Sequence, residues 1–253
     1  MDQLYEAIRK RAKEIAKRYP PPSFYDENSR ECAFSRRFFE TDETVGDLYS
    51  YVSARIDDDL GHGLDHVTKV TLDAGALVLA EEGSGGEPGH EALRRLFLVQ
   101  CAGLLHDIAR KEKNHAAKGA EMAEDILSGY ALTDSEKAEV CQAISNHEAF
   151  RPVSAAITPR AGLLSDCLYD ADKFRWGPDN FTDTVWAMIS FFKAPLSVFL
   201  DRYAEGIEGI IRIKSTFRSV TGRRFGPEFI DTGLLMGDEI YRMLKDEFED
   251  KNH

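Results

Sequence analysis

Side chains of metal-ligand type recur at the ends of apolar helical segments in this chain. Of its seven histidines, four fall at comparable places: His66 opens one segment, His106 closes another, His115 opens a third and His147 ends a fourth. Helix ends converge on a common point more easily than helix middles do. The pair His106-Asp107 stands at the end of the apolar run FLVQCAGLLHDIA. A run of that kind belongs to a buried helix, so its polar end must find partners. A divalent cation would satisfy both side chains at once, because imidazole and carboxylate are ligand types for first-row metals. His147 lies seven and three residues after Val140 and Ile144, which places it on a core-facing stripe.

A further carboxylate comes from LYDADKF, where Asp170 and Asp172 compete. Two residues of helix turn them about 200° apart, so both cannot face one point. Counting back from Asp172 meets Leu168, Leu164 and Ala161, whereas counting back from Asp170 meets Asp166 and Leu163. The more apolar stripe drives Asp172 inward and sets Asp170 on the opposite, more polar face.

The elements that must carry these residues are helical nearly throughout. No alternating strand pair joined by a hairpin turn is found, and an all-α fold is expected. Helices are expected over about 2–19, 43–57, 64–82, 90–108, 115–127, 134–146, 158–173, 181–193, 195–213 and 227–249. Pro20-Pro21-Pro22 stops the first, and GSGGEPG separates the third and fourth. Asn114 reads as an N-cap, and Thr133-Asp134-Ser135-Glu136 as a capping box. The segment FSRRFFE is assigned to no element. Organisation is read as an N-terminal helical extension over 1–57, a metal-binding core over 58–180 and a C-terminal helical extension over 181–253.

His66, then His106-Asp107 in GLLHDIAR, then Asp172 in DADKF resemble the metal-binding signature of the HD superfamily over roughly residues 60–175. GLLHDIAR is the most specific part. His115 in HAAKGAEMAEDIL and His147 in AISNHE resemble the additional histidines of members that hold two metals. Those members include cyclic-dinucleotide phosphodiesterases, diadenosine tetraphosphate hydrolases and some diiron oxygenases. The resemblance implies a helical bundle with one or two divalent transition metals at its centre, Mn, Fe, Co, Ni or Zn, with Mg also accepted. It implies that Asp107 bridges, that His66, His106 and Asp172 hold the first metal, and that His115 and His147 hold the second. One departure is that many members carry Gly-Lys after the HD-Ile, where this chain has Ala109-Arg110.

Water ionises near neutral pH on such a cation, which suits in-line attack on phosphorus. The expected activity is therefore hydrolysis of a phosphoester, phosphomonoester or phosphodiester, of a nucleotide or other small phosphorylated metabolite. A diiron oxygenase and a metal-binding regulatory module are the alternatives. Asp107, Arg110 and Asp65 are the residues expected to act in catalysis, with Glu148 as another proton carrier beside a ligand. Arg110, Lys111, Lys113 and Lys173 stand close enough to the ligands to steady a phosphate. The segment IKSTFRSVTGRRFGPEF is read as a basic loop whose Lys214, Arg218, Arg223 and Arg224 select substrate. His62 reads as a loop residue, and His90 and His253 as surface residues.

Composition bounds the partners. With 43% hydrophobic and 30% charged residues among 253, the chain can build a large core. A net charge of −12 repels nucleic acid and anionic membranes, so a phosphorylated substrate must be held locally. No apolar run approaches the roughly 18 residues of a membrane span. The N-terminus alternates charged and apolar residues, unlike a signal peptide, and a cytoplasmic location is expected. The cysteines Cys32, Cys101, Cys141 and Cys167 form no CxxC pair and read as reduced packing thiols. FSRRFFE and WAMISFFKAPLSVFL are read as core or as contacts within a homo-oligomer.

Overall fold

Residues 3–56, 61–83 and 86–249 are described by the computed structural model. The expectations that fall on Asp2, Asp57, Ser84, Gly85 and His253 lie outside them. Among the described residues all regular structure is helical and no strand occurs. Helices α1 (Gln3–Ala16), α2 (Phe24–Glu27), α3 (Ser29–Thr41) and α4 (Glu43–Ser53) precede the central α5 (Leu64–Glu82) and α6 (His90–Leu105). Next come α7 (His115–Leu127), α8 (Asp134–Ser145) and α9 (Pro159–Phe174). A π-helical turn, Asn180–Thr184, leads into α10 (Val185–Phe191), α11 (Leu196–Ile213) and the long α12 (Val220–Glu249).

The centre of the fold is α5, α6 and α9, helices that are buried on nearly all sides where they meet. Every residue from Leu96 to Leu105 in α6 and from Cys167 to Phe174 in α9 is buried. A helix buried all round is the arrangement that a run such as FLVQCAGLL requires. Two glycines set how closely these helices approach. A Cβ on Gly103 would lie 2.7 Å from the Thr71 Cα, and one on Gly75 would overlap Ser35 Oγ and Leu96. The Gly103 contact lies one turn before His106 and less than two turns after His66, so it brings the two histidines together. Gly119 seats α7 in the same way, since a Cβ there would stand 3.3 Å from the His106 carbonyl oxygen. One turn earlier on that face of α7 is His115.

Three elements depart from the expectation, each for a tertiary reason. FSRRFFE, unassigned in the sequence, lies in α3 and docks on α5 and α6. Ser35 there is fully buried, with Oγ donating to the Leu72 carbonyl at 2.8 Å and its own carbonyl accepting from Gln100 Nε2 at 2.9 Å. The helix expected over 181–193 begins with a π-helical turn, which shifts the faces of the residues after it. The basic loop expected before residue 227 is irregular only as far as Ser219: α12 begins at Val220 and runs through Pro227. Its N-terminal N–H groups are satisfied from a distance. Asp170 accepts from the backbone of Arg218 and Ser219, both at 2.8 Å, Glu81 accepts from Thr221 at 2.6 Å, and Ser219 Oγ accepts from Gly222 at 2.8 Å. Glycines at 222, 226, 233 and 237 let α12 press on Asp170, Phe217, Gly177 and Phe181. Asp170, expected on a more polar face, is therefore as deeply buried as Asp172 but points the other way, at α12.

Local signals fared better. The capping box at Thr133 and Glu136 is present in both directions, at 3.3 and 2.9 Å. Asn114 is not a side-chain cap: it turns the chain into α7 through a left-handed backbone, φ 59°. No helix among the described residues is long and apolar enough to cross a membrane.

Replacing Gly103 by Ala is expected to destabilise the protein by about 1–3 kcal/mol, because the new methyl meets backbone rather than a movable side chain. Gly46, inside α4 with nothing within 4 Å of a Cβ, is the control, where Ala should stabilise by about 0.5–1 kcal/mol. Thermal melts of the two variants check the pair, and equal melting temperatures would contradict the close approach.

Candidate metal site

Five histidines and two aspartates meet where α5, α6, α7, α8 and α9 converge. Asp107 stands in the middle and is 2% exposed. Its Oδ2 lies 3.6 Å from His66 Nε2, 3.4 Å from His106 Nε2 and 2.8 Å from His62 Nδ1. Its Oδ1 lies 3.8 Å from His115 Nε2 and 3.6 Å from His147 Nε2. Asp172 approaches from α9, with Oδ1 3.3 Å from His66 Nε2 and 4.0 Å from His106 Nε2. The donor atoms of His66, His106 and Asp172 lie within 4.8 Å of one another, as do those of Asp107, His115 and His147, and those of His62, His66 and Asp107.

The backbone decides which ring nitrogens face inward. His106 Nδ1 is 2.7 Å from the Gly103 carbonyl and His147 Nδ1 is 2.6 Å from the Ile144 carbonyl. A carbonyl only accepts, so both Nδ1 atoms carry the proton and both Nε2 atoms of the neutral rings turn a lone pair to the centre. His66 Nε2 is then 3.3 Å from His106 Nε2, and His115 Nε2 is 3.2 Å from His147 Nε2. Two nitrogens at that distance need either a shared proton or a shared cation. Asp107 Oδ1 is fully buried and accepts no hydrogen bond. A buried carboxylate oxygen left bare costs several kcal/mol, roughly, unless something positive faces it. Bare oxygen, convergent lone pairs and anchored tautomers together fit a divalent cation.

Electrostatics run the same way. Burial would raise the pKa values of Asp107 and Asp172, but the surrounding histidines and, for Asp172, the adjacent ammonium of Lys173 hold both well below the usual carboxylate range. Burial lowers His66 to about 4 and, helped by neighbouring His147, His115 to about 4. Both rings are therefore neutral, as ligands must be. For His106 burial works downward but the adjacent carboxylate of Asp107 prevails and raises it.

Residues around this centre divide into those brought to it and those carried elsewhere. Arg110 donates toward His115 Nε2 at 3.0 Å and His62 Nε2 at 3.3 Å. Lys173 is buried and donates to Asp172. Glu148 Oε1 lies 3.7 Å from His115 Nδ1. All three line a cavity of about 440 Å³ that opens from the centre. Lys111 borders a smaller cavity behind His62 and Arg110. Lys113 is exposed on the turn before α7. Asp65, three-quarters exposed, pairs with Lys69 at 2.8 Å and faces outward. Arg218, Arg223, Arg224 and Lys214 do not line the cavity. Arg218 lies 3.4 Å over the Tyr169 ring and donates to the Asn146 carbonyl at 2.9 Å, so it braces the turn that carries His147. Arg224 pairs with Glu27, Lys214 with Asp231, and Arg223 is exposed in the field of Asp166. His62, read as a loop residue, does lie in a turn, yet its ring points into the cluster. Its four-residue spacing from His66 is the signal in the sequence that could have found it.

The pH dependence of the metal-free protein can be derived from these shifts. His66 and His115 bind protons less readily folded than unfolded, so the stability they preserve is full above about 6.5 and is lost as pH falls toward about 4. His106, raised, works in the opposite sense but is one group against two. The melting temperature of chelator-treated protein should fall between pH 6.5 and 4, and fall less steeply in His66→Asn. A flat profile shared by both proteins would contradict this.

A search of curated proteins finds no match to this chain. A crystal structure of a predicted HD superfamily hydrolase from an uncultured Thermotogales bacterium is similar at 21% identity over 80% of this chain and 92% of that one, with a TM-score of 0.48. The family model described as HD domain matches residues 63–175, the stretch that carries His66, His106, Asp107, His115, His147 and Asp172. Residues 63–175 of this chain are thus similar to the HD domain, and their His/Asp cluster stands where the helix ends converge.

Proposed function

We propose that this protein is a metal-dependent phosphohydrolase with two divalent metals, acting on a phosphoester of a nucleotide or other small phosphorylated metabolite. One observation carries the reading: Asp107 Oδ2 faces His62, His66 and His106, Oδ1 faces the separate pair His115 and His147, and Oδ1 has no hydrogen-bond partner. His66, His106, Asp172 and Asp107 Oδ2 would hold one metal. His115, His147 and Asp107 Oδ1 would hold the other. When bound, such a pair supplies ionised water near neutral pH and takes up charge on the phosphoryl oxygens.

The chain's own side chains then divide the remaining work. His106 and His147 keep their lone pairs aimed inward because their Nδ1 protons are committed to backbone carbonyls. Lys173, held by Asp172 at the edge of the cavity, places an ammonium beside an incoming phosphoryl group. Arg110 carries a second cation on the opposite side. Glu148 is the carboxylate at the cavity wall that is free of the histidine pairs' inner face, and it suits proton transfer to a leaving oxygen. The cations favour an anionic substrate over the neutral diol of a diiron oxygenase, whose ligand set would be much the same.

Metal analysis and activity test the reading together. Fully loaded wild-type protein should hold about two metals per chain, His147→Ala about one, and Asp107→Ala close to none. Hydrolysis with Mn, Co, Ni, Fe or Mg, read as phosphate release from monoesters and as alcohol release from diesters, should vanish on chelation and return on reloading. Release that survives exhaustive chelation would refute metal dependence, and one metal per loaded wild-type chain would refute the second centre. Oxygen uptake without phosphate release would move the protein to the oxygenases. Tight metal binding with neither activity would make it a regulatory module.

A further inference from the structure

The cavity beside the metal cluster joins the charged residues of the cluster and its neighbours to a lining of uncharged side chains. Beyond Lys173 its wall is formed by Phe150, Trp176, Val185, Met188 and Ile210, from three separate parts of the fold. Two local features maintain this wall. The π-helical turn at 180–184 rephases the chain so that Asn180, Thr184, Val185 and Met188 all reach the cavity. Phe150 is held at φ 62°, a left-handed backbone that bulky residues avoid, with its half-exposed ring beside the opening. Gly206 on α11 leaves the space in front of Ile210 open.

The charges that line the cavity are already committed. Arg110 is directed at His62 and His115, Lys173 at Asp172, and Arg175 at Asp73 and Asp179. Among the described residues, no row of uncommitted cations leads away from the metal end along the wall. A substrate carrying a chain of phosphates would lay its second and third anionic groups against apolar side chains, where each lacks the bidentate or ammonium partner it needs. A single phosphoryl group at the metals with an apolar body against Trp176 and Ile210 leaves nothing charged unpartnered, and a cavity of about 440 Å³ has room for both halves.

We infer that this cavity selects phosphomonoesters whose alcohol half is apolar and about the size of one ring, with Trp176 and Ile210 as specificity-determining residues. The inference rests on the phosphohydrolase reading above for its activity measurement but not for its binding measurement. In the protein loaded with Mn, phosphate release would be compared for benzyl phosphate, glycerol 2-phosphate and ATP, the first two having alcohols of similar acidity. Benzyl phosphate should exceed the other two in kcat/KM by about tenfold or more. Trp176→Ala and Ile210→Ser should each raise KM for benzyl phosphate by about fivefold or more, and for glycerol 2-phosphate far less. A preference for ATP, or equal effects of the substitutions on both monoesters, would overturn the inference.

Binding is measured separately with benzylphosphonate and methylphosphonate, which resist hydrolysis, by calorimetry and by tryptophan fluorescence. The other tryptophan, Trp186, is fully buried away from the cavity wall, so a fluorescence change that disappears in Trp176→Phe reports on this site. Benzylphosphonate should bind about tenfold more tightly than methylphosphonate, and Ile210→Ser should remove most of that margin. If no ester is hydrolysed with any metal, the phosphohydrolase reading fails and this titration alone decides. A tenfold margin that depends on Ile210 upholds the apolar-body selection, and equal binding of the two phosphonates overturns it.

Discussion

Keeping one carboxylate, Asp107, charged inside the protein is the constraint on which the rest of the architecture depends. A buried ionised carboxylate is tolerated only where positive charge or donors surround it. Here the surroundings are imidazoles from four helices and one turn, arranged so that one oxygen faces His62, His66 and His106 and the other faces His115 and His147. The histidines are crowded in turn: their inner nitrogens approach one another at hydrogen-bond distance, and burial keeps two of the rings from taking up protons. Carboxylate and imidazoles therefore share one unmet requirement, and a divalent cation meets it for both. Folding and function are coupled at this point, because the same helix ends that lack internal partners are the ones that present ligands.

Helix packing serves that centre with little side-chain mediation. Thr71 against Gly103 and the His106 carbonyl against Gly119 are contacts in which a backbone approaches a glycine. Contacts of this kind have little play, since close-packed interiors resist small shifts. They place His66, His106 and His115 within one turn or two of a rigid contact. Positioning by rigid elements is what a metal site demands, where ligand distances tolerate only a few tenths of an ångström. Arg218 extends the same service to His147 from the start of α12, by holding the carbonyl of Asn146.

The cavity inherits its asymmetry from the parts that build it. The segment matched by the HD-domain model contributes the His/Asp cluster, Arg110, Glu148 and Lys173, whereas the apolar wall comes mainly from the π-helical turn, α10 and α11, which lie beyond the matched segment. Under the proposed function, the phosphoryl group and the group attached to it would thus meet different stretches of chain. Such a division lets binding energy from the unreactive half of a substrate orient the reactive half.

Much of the centre was legible in the residues themselves. His106-Asp107 closes a run too apolar to end in unpartnered polar groups, and the helical phase that turns Asp172 inward is set by its neighbours Leu168 and Leu164. Both are local arguments, since helix periodicity and caps are written within a few residues, as at Thr133 and Glu136. The structure alone decided what depends on contacts far apart in sequence. His62 joins the cluster because the turn before α5 folds back over Asp107. Asp170 is buried because α12 presents its unbonded N–H groups to it across 48 residues. The segment carrying Arg223 and Arg224 becomes helix, away from the cavity, because Asp170 and Glu81 satisfy that helix start from elsewhere. Composition and spacing along the chain determined which side chains can act as ligands and on which helix faces they stand. Tertiary packing decided which other groups share their space, because burial and satisfaction of backbone N–H groups are settled between elements and leave no periodic trace within one.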